Sequence, residues 1–249
     1  MKTCELKDKI DILAPFSISE ELKKQGYYDN SGIICEGEGD KILAVLDLTD
    51  SAINFAIKNK CNLILTHHPA IFMPVTSITG LIAKCIKNNI GVVSAHLNAD
   101  YAKNGVDYYF AKLLGAEDAK VLDVQTFGGY GRLFNVKKQT LQEYVNFVKE
   151  KLNCKNVCVF GKDNVIVEKV ATFCGAGLDE NNLFLSQSAN VLVSADIKHH
   201  ILLQATEQGK CVIMPTHFAT ENKPFKLFCK DLESKFKLNI MYYEQDTLI

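Results

Sequence analysis

Long apolar runs are missing from this 249-residue chain. No segment approaches the ~18 continuous apolar residues of a membrane-spanning helix, and the opening MKTCELKDKIDIL scatters charges where a secretory leader carries an apolar block. We therefore expect a cytoplasmic protein with no membrane partner. Arginine is almost absent: Arg132, in GGYGRLF, stands alone against 27 lysines, and beside three glycines it is a candidate anion contact. The 28 basic and 29 acidic residues leave a net charge of −1 with no long run of one sign, which argues against a nucleic-acid partner. CxxC is absent among nine cysteines, and Cys154 and Cys158 have neither zinc-finger nor redox spacing. Cys61, Cys85, Cys174 and Cys211 lie in apolar segments and read as small, reduced core residues. HExxH, GxSxG and GxxxxGK[ST] are also missing, so zincin, serine hydrolase and P-loop readings have no support.

What is present is a 47% apolar chain in which short apolar strands alternate with amphipathic helices. KILAVLDL (41–48) reads as a strand, and Asp50 as the N-cap of a helix through SAINFAIKNK. NLILT, the helix GLIAKCIKNN and the strand of IGVVSAHLNAD follow, the pattern of parallel strands joined by helical crossovers. Thr140 and Glu143 form a capping box for a helix to Leu152, with Leu141, Tyr144, Val145, Val148 and Leu152 on one face. The glycine cluster TFGGYG marks the expected junction, giving lobes at 1–126 and 127–249.

The two halves repeat. DKILAVLD (from Asp40) lines up with EKVATFCG (from Glu168), and CNLILTHH (from Cys61) with ANVLVSAD (from Ala189), both pairs 128 residues apart. GVVSAHLNAD matches CVIMPTHFATE in kind, each a buried strand followed by His-x-x-x-carboxylate: His96 with Asp100, His217 with Glu221. The fold class expected is α/β, two similar lobes from an internal duplication, with mixed, mostly parallel sheets flanked by helices.

In open α/β sheets, ligands bind beyond the carboxyl ends of the strands. Four such ends, THH (66–68), AHLNAD (95–100), SADIKHH (194–200) and THFATE (216–221), hold all six histidines. Imidazole with carboxylate is the donor set of zinc, iron, manganese or nickel, and cysteine is absent from the four motifs. Neighbouring side chains on an extended backbone point to opposite faces, so His67 and His68 cannot easily chelate one ion together but could each hold a different one. If they do, a two-metal site follows, with roughly 3.5 to 4 Å between ions, a carboxylate such as Glu221 bridging and a shared water as nucleophile. His200, with His199 or His96 as substitutes, is the candidate proton relay or a partner that orients a metal ligand. GAG (175–177) reads as a tight turn, with an anion nest as the alternative.

YDNSG (28–32), LILTHHPAIF, SAHLNAD, GYGRL, SADIKHH and THFATE occur in the order and spacing of the NGG-interacting-factor-three-like family, also called GTP cyclohydrolase I type 2 homologues, which the chain resembles over almost its whole length. The resemblance implies intertwined α/β lobes, two divalent metal ions per subunit, and homo-oligomers in the form of hexameric rings. It implies His67, His68, Asp100, His217 and Glu221 as metal ligands, Glu221 bridging, with His68 and Asp100 on one ion and His67 and His217 on the other. Leu97 and Ala99 depart from the family's HTNLD, Thr216 replaces a glycine, and Tyr28 a tryptophan. The function expected is a metal-dependent hydrolase acting on a small molecule, a nucleotide such as GTP, whose imidazole ring would open with release of formate. The rival expectation is a metal-binding regulatory or protein-interaction scaffold without turnover.

Overall fold

A computed structural model describes residues 1–244. In chain order, α1 (Thr3–Leu13), α2 (Phe16–Lys24), β1 (Gly32–Cys35), β2 (Lys41–Val45), α3 (Asp50–Asn59), β3 (Leu63–Thr66), α4 (Gly80–Lys87), β4 (Gly91–Ser94) and α5 (Leu97–Tyr101) come first. Next are α6 (Val106–Leu113), β5 (Lys120–Gln125), β6 (Gly128–Thr140), α7 (Leu141–Leu152), β7 (Cys158–Phe160), β8 (Ile166–Thr172), α8 (Glu180–Leu185), β9 (Val191–Val193), α9 (His199–Glu207) and β10 (Cys211–Met214). The last are α10 (His217–Phe236) and β11 (Asn239–Tyr242). No helix of the described residues is long and apolar enough to cross a membrane.

The chain divides into two compact units, Met1–Gly105 with the chain from Phe225 onward, and Val106–Pro224. That division differs from the expected lobes at 1–126 and 127–249. TFGGYG is no junction: β5 and β6 pair antiparallel with Gln125 opposite Gly128, so Thr126 and Phe127 form the turn of a hairpin inside the second unit. Residues 245–249 of the expected second lobe lie outside the described residues.

Each unit holds one mixed sheet. The first has strand order β1-β4-β3-β2-β11 and the second β5-β6-β8-β9-β10-β7. Both contain a parallel triplet joined by helices, β2-α3-β3-α4-β4 and β8-α8-β9-α9-β10, with an antiparallel strand beside the third member. The duplication extends to register: Ile42 pairs with Leu63 and Val170 with Val191, both members 128 residues apart. The third strands are displaced by 120 instead, Gly91 against Cys211, so the second crossover is shorter in the second unit.

The strands exist because their residues can be buried on both faces, as parallel sheets require. Leu43 and Val45 of β2 and Ile64 of β3 pack with Ala52, Ile53 and Ala56 of α3 and Ile82 and Cys85 of α4. Fully burying side chains of the Leu, Ile or Val kind contributes roughly 1.5–3 kcal/mol each. The cap of α3 is Thr49, whose hydroxyl accepts from Ala52 N at 3.1 Å, while Asp50, expected as the cap, is the first helical residue. The helix α7 has the expected capping box, and Leu141, Tyr144, Val145, Val148 and Leu152 are its buried residues.

Candidate metal centre

In the first unit, β3 ends at Thr66, and the next two residues stay hydrogen-bonded to the end of β2 and the residue after it. His67 N donates to Val45 O at 3.1 Å and His68 N to Leu46 O at 3.0 Å, before Pro69 removes the next donor. The His67 ring is fully buried against Phe225, centroids 5.1 Å apart, with Nδ1 2.8 Å from Ala95 O. His68 turns its Nδ1 to Asp47 Oδ1 at 2.7 Å. The two ring centroids lie 5.0 Å apart, nearer than opposite faces of a strand would put them, because regular strand has already stopped.

His96 caps α5 and joins them, its centroid 5.3 Å from that of His67 and 5.6 Å from that of His68. One ligand atom from each of His67, His68 and His96 lies within 4.8 Å of the others. An ion with bonds of about 2.1 Å holds its nitrogens roughly 3.4 Å apart, so small side-chain rotations would close this group on a metal. Asp100, one turn beyond His96, is buried with Oδ1 3.4 Å from His67 Nε2.

YDNSG surrounds His96. Asp29 Oδ1 lies 2.9 Å from His96 Nδ1, Ser31 Oγ accepts from His96 N at 3.0 Å, and Asn30 Nδ2 donates to Ile71 O at 2.7 Å, tying down the segment after THHP. Burial alone would raise the Asp29 pKa. The hydrogen bond and charge of His96, with the nearby hydroxyls of Ser19 and Ser31, outweigh it and hold the carboxyl at about 2.

In the second unit, His217 opens α10. Its Nδ1 is 2.6 Å from Asp196 Oδ2 and its Nε2 2.9 Å from Oε2 of Glu221, one turn on and buried. All four imidazoles thus place Nδ1 against an oxygen. Ala95 O can only accept, so His67 Nδ1 carries a hydrogen, and the carboxylate partners of the others favour a hydrogen on Nδ1 in the same way. This is how proteins orient histidines for metals, and the nitrogen-oxygen donor set without thiolate fits zinc, iron, manganese or nickel.

The orienting carboxylates Asp29, Asp47 and Asp196 were not singled out in the sequence. The duplication carried a signal for one, since Asp196 stands 128 residues after His68. Among the other expected residues, His200 lies at the surface, Nε2 2.8 Å from Glu180 Oε1 with both side chains more than half exposed, and neither it nor His199 joins a group able to hold an ion among the described residues. Arg132 is no anion contact. It is buried, 3.0 Å from Asp107 Oδ2, and its Nη1 donates to Gly129 O at 2.9 Å. Nor does GAG form an anion nest, because Gly175 N is spent on Thr220 Oγ1 at 2.9 Å.

The fold and these strand ends define a mixed α/β protein with histidine and carboxylate groups that could hold a metal ion. The chain belongs to the family Duf34/NIF3 (NGG1p interacting factor 3), which matches residues 1–248. It is 30% identical to the "GTP cyclohydrolase 1 type 2 homolog" of Methanocaldococcus jannaschii, covering 97% of this chain and 98% of that protein. A protein of the same description from Clostridium acetobutylicum is 29% identical over 94% of this chain and 90% of its own length. The fold matches the crystal structure of a Staphylococcus aureus hypothetical protein with a TM-score of 0.87 at 25% identity, covering 100% of this chain and 98% of that one.

Proposed function

We propose that the chain is a dinuclear metal-dependent hydrolase whose substrate is a nucleotide, with GTP the first candidate. The observation that carries the reading is the common orientation of His67, His68, His96 and His217, each with Nδ1 held by an oxygen, beside two buried carboxylates. In this reading His67, His68, Asp100, His217 and Glu221 hold two divalent ions, with Glu221 shared. Such ions would polarise a water for attack on an electrophilic carbon, C8 of the purine in the case of GTP. The protein's own part is then to orient and to move protons. Asp47 and Asp196 fix the ring planes of His68 and His217, and the burial of His67, Asp100 and Glu221 keeps bulk water from their ligand atoms. Asp29 keeps hydrogen on His96 Nδ1, leaving Nε2 to take up a proton. The relatives described as GTP cyclohydrolase 1 type 2 homologs support the substrate choice.

The rival reading is a metal-binding scaffold in a ring of like subunits, without turnover. It is favoured by the burial of the only arginine, which leaves phosphate recognition to lysines, and by the exposed apolar row Phe72, Met73, Val75 and Ile78, suited to self-association. Metal-loaded protein incubated with GTP decides between them. The hydrolase releases formate at a rate well above a His68→Ala control; formate at the control level sinks the activity.

A further inference from the structure

We propose that the buried GYGR segment of β6 is a positioning brace for Glu221 and His217, acting through the turn at Cys174 and Gly175; this rests on reading those two residues as metal ligands. Gly175 has φ +57°, in the left-handed region, and a Cβ there would overlap Glu221 Oε1 and reach His217 Nε2 at 3.1 Å. Backbone without a side chain therefore presses directly on both groups, and its position limits theirs.

The turn is gripped on every side by members of the second unit. Gly175 N donates to Thr220 Oγ1, on the turn of α10 that carries Glu221. Gly175 O accepts from Ala195 N at 2.9 Å and Ser194 Oγ at 3.1 Å. Cys174 N donates to Asp107 Oδ1 at 3.3 Å, and the Tyr130 hydroxyl donates to Cys174 O. Asp107 in turn pairs with Arg132, whose Nη1 donates to Gly129 O and Gly131 O on either side of Tyr130. The close fit continues at Gly177, where a Cβ would overlap the Tyr130 ring.

Packing alone does not call for these groups. A buried ion pair is weak as a stabiliser, and apolar residues of similar volume often serve stability as well or better. What guanidinium, carboxylate and phenol supply is direction: each fixes a backbone amide or carbonyl of the turn or its support. Repeat symmetry agrees, because Gly175 stands 128 residues after Asp47. The first unit uses a side chain at that position to hold His68; the second uses bare backbone held from behind.

The test compares Tyr130→Phe and Gly175→Ala with Thr140→Ala, a helix-cap variant outside the brace, in the full-length protein. Zinc affinity is measured by calorimetry, thermal midpoint by calorimetric scan, and the His217 ring ¹⁵N shifts by NMR on metal-free protein. The brace predicts moved ring shifts and zinc affinity lower by roughly tenfold or more in both brace variants, the effect of losing support behind a ligand. Thr140→Ala should leave both readouts at wild-type values while lowering the midpoint. Wild-type His217 shifts in Tyr130→Phe and Gly175→Ala would overturn the brace. If the wild type binds no zinc, the ligand reading fails separately, and the ring shifts still decide the positioning.

Discussion

At positions 128 residues apart the first unit carries His68 and the second Asp196, and the two do opposite jobs. His68 presents an imidazole and is held by Asp47 from the neighbouring strand end; Asp196 holds the imidazole of His217. The strands beneath them share one register, so the difference lies in the side chains hung on a repeated frame. Supports differ as well. The first unit braces His96 with a loop, YDNSG, whereas the second buries an Asp107–Arg132 ion pair in its interior. Duplication thus supplied two equivalent strand ends, and each has been equipped differently.

Five substitutions sharpen that comparison. Asp107→Ala breaks the second unit's buried pair and leaves the guanidinium without its carboxylate, which should cost about 3–5 kcal/mol in denaturant unfolding. A cost under about 1 kcal/mol would mean that water or another group already satisfies Arg132. Next come the orienting carboxylates: Asp47→Ala in one unit and Asp196→Ala in the other should each weaken metal binding roughly 10–100-fold by calorimetric titration. Equal losses would make the two aspartates equivalents across the repeat; loss in only one would restrict metal holding to that unit. Smallest are the helix caps. Thr140→Ala removes the hydroxyl of a full capping box and should cost about 1 kcal/mol, and Thr49→Ala, whose cap lacks the reciprocal glutamate, less. Thermal unfolding of the two variants measures this difference. Glu143's pKa is lowered by its hydrogen bonds to the Thr140 backbone and hydroxyl, so its share of the box is present above the ordinary carboxylate range and lost as pH falls through the lowered value.

Much of this was legible in the chain. Apolar runs at 41–45, 63–66 and 91–94 became the parallel triplet of the first sheet, and the 128-residue offset read from matching words is the offset of the strand register. The clustering of histidines at strand ends marked four of the side chains that form groups able to hold a metal ion, His67, His68, His96 and His217. What misled was glycine: TFGGYG has the composition of a linker, but Gly128 and Gly129 face Gln125 and Val124 across a hairpin. Arg132 misled for a related reason. A lone guanidinium among glycines has the look of an exposed anion site, and only its burial beside Asp107 shows it to be internal.

The sequence by itself determined the strand and helix alternation, the capping box, the repeat and the donor chemistry, because each depends on residues close together in the chain or on residue type alone. Tertiary structure decided which oxygen holds each imidazole and where Arg132 goes. Asp29 reaches His96, and Asp107 reaches Cys174, across 67 residues of chain in both cases. No local pattern encodes such a meeting; it follows from sheet topology, which brings distant strand ends and loops together and then charges the desolvation cost to any polar group left without a partner.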